Sequence, residues 1–166
     1  MITLVLGGAR SGKSAVAEEI AAALTQPVTY VATLSVGDDA DLAARVDAHR
    51  ARRPAAWRTV EAGVDLPDVL GRIHGPVLLD SLGPWVAANA AGAPDVASLC
   101  TALGRREGDT VVVSEEVGLS VHPSTEAGRR FRDALGVLNH AVAERADDVV
   151  LVVAGRVLRL DRFTGR

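Results

Sequence analysis

Eight consecutive residues, Gly7-Gly8-Ala9-Arg10-Ser11-Gly12-Lys13-Ser14, constrain the fold more than any other stretch. They fit G-x-x-x-x-G-K-[ST], a loop whose backbone amides close around the oxygens of a phosphate chain. That loop works only between a strand and a helix. Both flank it here: Ile2-Thr3-Leu4-Val5-Leu6 is an apolar run of strand length, and Ser14 to Leu24 is rich in Ala and Glu and reads as a helix. Glycines let N–H groups converge on anionic oxygens, and the helix N-terminus adds its positive end. Lys13 stands where it reaches the outer phosphates, and the Ser14 hydroxyl where it joins a magnesium shell. Lys13 is also the only lysine; every other cationic side chain is Arg. A compact ammonium on a thin stem fits inside a ring of amides, whereas a planar guanidinium does not.

The remaining sequence is read around that loop. At 166 residues the chain is expected to form one domain, residues 1–166, with a sizeable core. Apolar residues make up 48% and the net charge is −3, which argues against bulk nucleic-acid or anionic-membrane binding. No apolar run is long enough to span a bilayer. The chain enters its first strand directly, without a signal peptide, and its single Cys100 forms no internal disulfide, so a cytoplasmic protein is expected.

Taken in order, Val28 to Ala32 is a second strand ending in Thr33-Leu34-Ser35. A helix is expected from Asp38 to about Arg52, stopped by Pro54. Trp57 to Glu61 reads as a strand, Val64 to Ile73 as a helix, and Val77-Leu78-Leu79-Asp80 as a buried strand. Helices follow around Trp85–Ala91 and Asp95–Arg105, then a strand Thr110–Ser114 ending in Glu115-Glu116. A long amphipathic helix, Ser124–Ala146, precedes the strand Asp148–Val153, and Gly155 turns into an antiparallel edge at Val157–Leu160. Strands alternating with helices predict an α/β fold with a mostly parallel sheet flanked by helices. Ligands of such sheets bind at the carboxyl ends of the strands.

Three sets of residues stand out for chemistry. Asp80 closes an apolar strand, where phosphate-loop enzymes keep a carboxylate for magnesium; capping the next helix is its other reading, and Ser81 could do that equally well. Glu115 and Glu116 compete with Asp80 for the metal, or are solvated loop charges. His49 shares a helical stripe with Leu42 and Val46 and is surrounded by Arg45, Arg50, Arg52 and Arg53. Neighbouring positive charges disfavour the imidazolium and attract a polyphosphate. A neutral imidazole beside a triphosphate can attack phosphorus. The plain alternative is a half-buried histidine at a helix end. His74, His122 and His140 show no metal-ligand spacing, so no zinc site is expected.

With these residues in view, the sequence resembles the adenosylcobinamide kinase/adenosylcobinamide-phosphate guanylyltransferase family. The resemblance spans nearly the whole chain: the Gly7–Ser14 loop, Tyr30-Val31-Ala32-Thr33, His49-x-x-x-Arg53-Pro54-x-x-Trp57-x-Thr59-x-Glu61, Glu116-Val117-Gly118, Phe131-Arg132-Asp133 with Asn139, and Leu151 to Gly155. The stretch from His49 to Glu61 is the most specific, since common phosphate-loop proteins lack it. The resemblance implies a RecA-like P-loop NTPase domain, assembled as a homotrimer. It implies phosphorylation of adenosylcobinamide with ATP or GTP and Mg2+, then transfer of GMP from GTP through a guanylyl-histidine to adenosylcobinamide phosphate, releasing pyrophosphate. His49 matches that histidine, and Lys13 is the second catalytic residue. Nucleotide contacts map onto Gly7, Gly8, Ala9, Arg10, Ser11, Gly12, Lys13, Ser14, Ala32, Thr33, Leu34, His49, Arg50, Ala51, Arg52, Glu61 and Asp80, with Ser14 and Asp80 on the metal. Where the family commonly continues Gly-Ile-Val-Pro after Glu116-Val117-Gly118, this chain has Ser120-Val121-His122-Pro123, and the tail past Leu160 has no clear counterpart. The rival reading is a P-loop small-molecule kinase without the guanylyl step, which leaves the His49-to-Glu61 pattern without a use. A GTP-regulated switch is disfavoured, because its Asn-Lys-x-Asp guanine motif needs a second lysine. A partner-moving ATPase subunit ranks last, the chain having no appended domain.

Overall fold

The computed structural model describes residues 1–34, 53–89 and 94–164. Its elements are β1 (Ile2–Gly7), α1 (Lys13–Ala22), β2 (Thr29–Ala32), β3 (Arg58–Glu61), α2 (Leu66–Arg72), β4 (Val77–Asp80), α3 (Leu82–Ala88), α4 (Val96–Arg105), β5 (Thr110–Glu115), α5 (Glu126–Ala143), β6 (Asp148–Val153) and β7 (Arg156–Arg159). The helix expected over Asp38–Arg52 lies outside the described residues.

The strands form one sheet in the order β3-β2-β4-β5-β1-β6-β7. Every pair is parallel except β6 with β7. The phosphate-loop strand β1 is therefore separated from the Asp80 strand β4 by β5. The β6–β7 hairpin turns on Ala154 and Gly155, both at positive φ (50° and 72°), as a two-residue turn matched to strand twist requires.

Strand side chains alternate between two faces, so a continuous apolar run builds two cores. Leu4, Leu6, Val31, Val77, Leu79 and Val112 face α2, α3, α4 and α5, whose Leu66, Leu70, Trp85, Leu99, Leu103, Leu135 and Leu138 are all buried. Val5, Tyr30, Leu78, Val111, Val113, Val150 and Val152 face the other way, against Ala17 and Ala21 of α1 and against Trp57. Tyr30 is the one residue of this second set with a polar tip, and that tip points into the site.

Helix ends explain the differences from the sequence-based boundaries. The helix expected from Trp85 begins at Leu82, because Pro84 sits in its first turn, where a missing N–H costs nothing. Residues Gly63–Asp65 form a separate 3-10 turn before α2, which carries Pro67 in its first turn. The side chains of Asp95 and Thr125 cap α4 and α5 by accepting from Ser98 N and Gly128 N. At the opposite edge of the sheet from the site, Arg106 donates to the carbonyls of Leu70 (2.9 Å), Ile73 (2.7 Å) and Gly75 (2.6 Å), and to Thr110 Oγ1 (3.1 Å). One guanidinium thus ties the end of α2 to the start of β5.

Candidate functional site

The carboxyl ends of β1, β2, β4 and β5 meet at one edge. Gly7 ends β1 and must lack a side chain: a Cβ there would lie 2.4 Å from Ser11 Oγ and 2.9 Å from the Val152 carbonyl oxygen. The chain then folds back, with Ser11 N donating to Gly8 O at 3.3 Å. Gly12 enters α1 at φ 95°, a left-handed conformation open to glycine at no steric cost. Ser11 is buried and its Oγ accepts from Lys13 N at 3.3 Å. From outside, Gly155 N of the β6–β7 turn donates to Ser11 O at 2.8 Å. The Lys13 ammonium lies across this loop, 3.5 Å from Gly8 O and 3.8 Å from Glu115 Oε1 at the end of β5.

A second cluster holds the Asp80–Ser81 corner, whose peptide is cis. Tyr30 donates its hydroxyl to Asp80 Oδ2 at 3.0 Å. Thr33 Oγ1, beyond the end of β2, donates to Ser81 O. Ser81 Oγ donates to Glu115 Oε1 at 2.7 Å, and Gly83 N donates to Glu115 Oε2 at 2.9 Å. Ser81 makes no side-chain cap of α3, and the Gly83 N–H at the start of that helix goes to a carboxylate from another strand. A Cβ on Gly83 would stand 2.3 Å from that carboxylate oxygen. Glu116, the neighbouring acid, turns back instead, its Oε1 accepting from Gly118 N at 2.7 Å. The two adjacent acids that compete in sequence are thereby separated: Glu115 faces the phosphate loop, and Glu116 holds its own turn.

Burial is the main cause raising the Tyr30 phenol above its ordinary range, followed by the Asp80 charge; the Arg53 charge works against both. Tyr30 is therefore a lasting donor to Asp80. The Arg53 guanidinium lies 3.2 Å from the centre of the Tyr30 ring, and its Nε is 3.9 Å from Glu18 Oε1 of α1. In sequence Arg53 is a fixed position of the His49-to-Glu61 pattern and one of several arginines near His49, with no partner assigned to it. In the fold it links α1, β2 and, through Tyr30, Asp80.

Of the residues expected at the site, Gly7 to Ser14, Ala32 to Leu34 and Asp80 come together at this edge. Glu61 ends β3 in register with Ala32, which is in register with Asp80, so the three share one rung. His49, Arg50, Ala51 and Arg52 lie outside the described residues. Among the described residues no three His, Cys, Asp or Glu side chains gather as a metal cage. The strand-end carboxylate of Asp80 and the hydroxyl of Ser14 at the start of α1 are hard-oxygen donors of the kind magnesium takes when phosphate oxygens and water complete its shell. The residues present fit that ion.

The family model described as cobinamide kinase / cobinamide phosphate guanyltransferase, CobU, matches residues 3–160. The chain is 40% identical to the bifunctional adenosylcobalamin biosynthesis protein CobP of Pseudomonas aeruginosa, over 93% of this chain and 94% of that one. It is 36% identical to the protein CobU of the same description from Escherichia coli, over 93% and 97%. In fold it is similar to a prototypical ATPase from the type III secretion system of pathogenic bacteria, with a TM-score of 0.56 at 12% identity, over 90% of this chain and 50% of that ATPase.

Proposed function

Because the chain belongs to the cobinamide kinase / cobinamide phosphate guanyltransferase family, a bifunctional enzyme group of cobalamin biosynthesis, we propose that one nucleotide site at the carboxyl edge of its sheet serves both transfers. The observation that carries this is the Lys13 ammonium held over the Gly7–Ser14 loop and facing Glu115 at the end of β5, whose carboxylate in turn accepts from Ser81, the residue after Asp80.

In the kinase step the hydroxyl oxygen of adenosylcobinamide attacks the γ-phosphorus of ATP or GTP. The bond from that phosphorus to the β,γ-bridging oxygen breaks, the nucleoside diphosphate leaves, and the hydroxyl proton is released. Loop amides and Lys13 neutralise the charge on the transferring group, so positioning and electrostatics do most of the work. Ser14 and Asp80 would hold magnesium, which would supply further positive charge beside the phosphates.

In the guanylyl step a ring nitrogen of His49 attacks the α-phosphorus of GTP. The bond to the α,β-bridging oxygen breaks and pyrophosphate leaves, its oxygens held by the loop. A phosphate oxygen of adenosylcobinamide phosphate then attacks the same phosphorus. The phosphorus–nitrogen bond breaks, giving adenosylcobinamide-GDP and free His49. His49 precedes Arg53 by four residues, which limits their Cα separation to about 14 Å, and Arg53 packs on Tyr30 beside Asp80. Ala32, Thr33, Leu34, Arg50, Ala51, Arg52 and Glu61 complete the nucleotide contacts in this reading.

The whole chain acts as one nucleotide-binding domain, working as a homotrimer in the cytoplasm, without nucleic acid or membrane insertion. In support, no helix among the described residues is long and apolar enough to cross a membrane, and the formal net charge is −3. The test is incubation of the purified protein with α-labelled GTP and magnesium, followed by location of the labelled peptide. Label on the peptide containing His49, with pyrophosphate released before any acceptor is added, is expected. A His49→Ala variant that still takes the label sinks the assignment and leaves the kinase alone.

A further inference from the structure

Glu115 is the side chain on which the two halves of the site converge. Its Oε1 lies 3.8 Å from the Lys13 ammonium and accepts from Ser81 Oγ at 2.7 Å, while Oε2 accepts from Gly83 N at 2.9 Å. The backbone behind it is fixed as well. Asn139, buried on α5, donates to Glu115 O at 3.0 Å and accepts from Ser114 Oγ at 2.6 Å. Both carboxylate oxygens accept from the β4–α3 corner, so that corner sets where the carboxylate stands relative to Lys13. Asp80 is the residue before Ser81. Glu115 is therefore a fixed anionic post, with the cationic arm of the phosphate loop on one side and the metal-side corner on the other.

We propose that Glu115 is a positioning residue for both transfers, setting the span between Lys13 and the Asp80–Ser81 corner. This rests on the nucleotide-site reading above. A carboxylate beside a triphosphate repels it, so Glu115 contributes nothing favourable to ground-state nucleotide binding. Its value lies in where it keeps Lys13 when charge develops on the phosphorus being transferred. Misplacement of such a group by about 1 Å costs on the order of a hundredfold in rate.

The test compares wild-type protein with Glu115→Gln, Glu115→Asp and Gly83→Ala. Steady-state kcat and the KM for nucleotide are measured in the kinase reaction and in pyrophosphate release from GTP, with melting temperatures alongside. Glu115→Gln is expected to lower kcat by about tenfold or more in both reactions, with KM for the nucleotide unchanged or lower. Gly83→Ala is expected to lower kcat in the same way with every charge retained, because its new Cβ would stand 2.3 Å from the carboxylate and drive it aside. Glu115→Asp keeps the charge and should recover part of the loss. If Glu115 only caps α3, Glu115→Gln and Gly83→Ala shift the melting temperature and leave kcat at the wild-type value; that result, or a loss confined to KM, overturns the proposal. Wild-type protein inactive in both reactions overturns the nucleotide-site reading itself, and is thereby told apart from failure of the Glu115 assignment.

Discussion

The Tyr30 hydroxyl donates to Asp80 Oδ2 at 3.0 Å, and the two residues lie two register positions apart across neighbouring strands, Tyr30 opposite Leu78 and Ala32 opposite Asp80. The strand-end acid is thus steadied by a phenol from the adjacent strand. Its neighbours Ser81 and Gly83 are steadied by Glu115 from the strand on the other side.

This arrangement predicts an alkaline transition. The folded Tyr30 phenol is raised above its ordinary 10.0, mainly by burial. In the unfolded chain it ionises near 10.0, so above that pH the unfolded state binds fewer protons than the folded one. Stability contributed by Tyr30 is complete below pH 10 and declines as pH rises further. Tyr30 is the only tyrosine, so phenolate absorbance reports it alone. That absorbance should rise together with loss of circular dichroism and not before it.

Lys13→Ala should lower kcat/KM in both reactions by about a thousandfold, the scale of losing a principal charge-stabilising donor. Lys13→Arg should fail to restore it, because the ammonium sits within 3.5 Å of Gly8 O and 3.8 Å of Glu115 Oε1, a gap for a point charge and not a planar fork. Initial rates of the two variants across a range of nucleotide concentrations, from which kcat/KM is obtained, check both statements.

Gly7→Ala should damage the loop without dissolving the sheet. Its Cβ meets Ser11 Oγ, which can rotate, but also the Val152 carbonyl at 2.9 Å, which is held in the β1–β6 pair. A loss of about 1–3 kcal/mol in folding stability is expected, with a larger proportional loss of nucleotide binding. Denaturant titration and calorimetric binding of GTP separate the two.

Far from the site, Arg106→Met should destabilise the fold by about 3 kcal/mol, since three backbone carbonyls lose their shared donor. The KM for nucleotide should stay at the wild-type value in the protein that remains folded. A Lys at this position cannot reach all three carbonyls and should recover little.

Much of this molecule is legible in its sequence. Continuous apolar runs such as Val77-Leu78-Leu79 place side chains on both faces of the sheet, and the eight-residue loop predicts the turn from a strand into a helix that joins β1 to α1. Both signals are local, and both appear in the fold where they were read. Glu115 is different. At the end of an apolar strand, a carboxylate looks the same whether it is solvated, metal-bound or paired. Its partners Lys13, Ser81 and Gly83 are more than thirty residues away, and only the strand order, with β5 between β1 and β4, brings them together. Arg53 is obscured for the opposite reason, being one of several arginines close together in sequence. Its placement on the Tyr30 ring comes from the fold. The start of α3 at Leu82, ahead of the expected Trp85, places Pro84 in its first turn, where no N–H is needed.

The hydrogen bond from Gly155 to Ser11 makes the last hairpin a buttress for the catalytic machinery. Clipping the protein after Val153 would leave the parallel strands joined as before while removing the outer support of the phosphate cradle. Such a trimmed protein should keep its shape yet grip polyphosphate loosely, so the far border of the sheet governs chemistry in which none of its own side chains takes part.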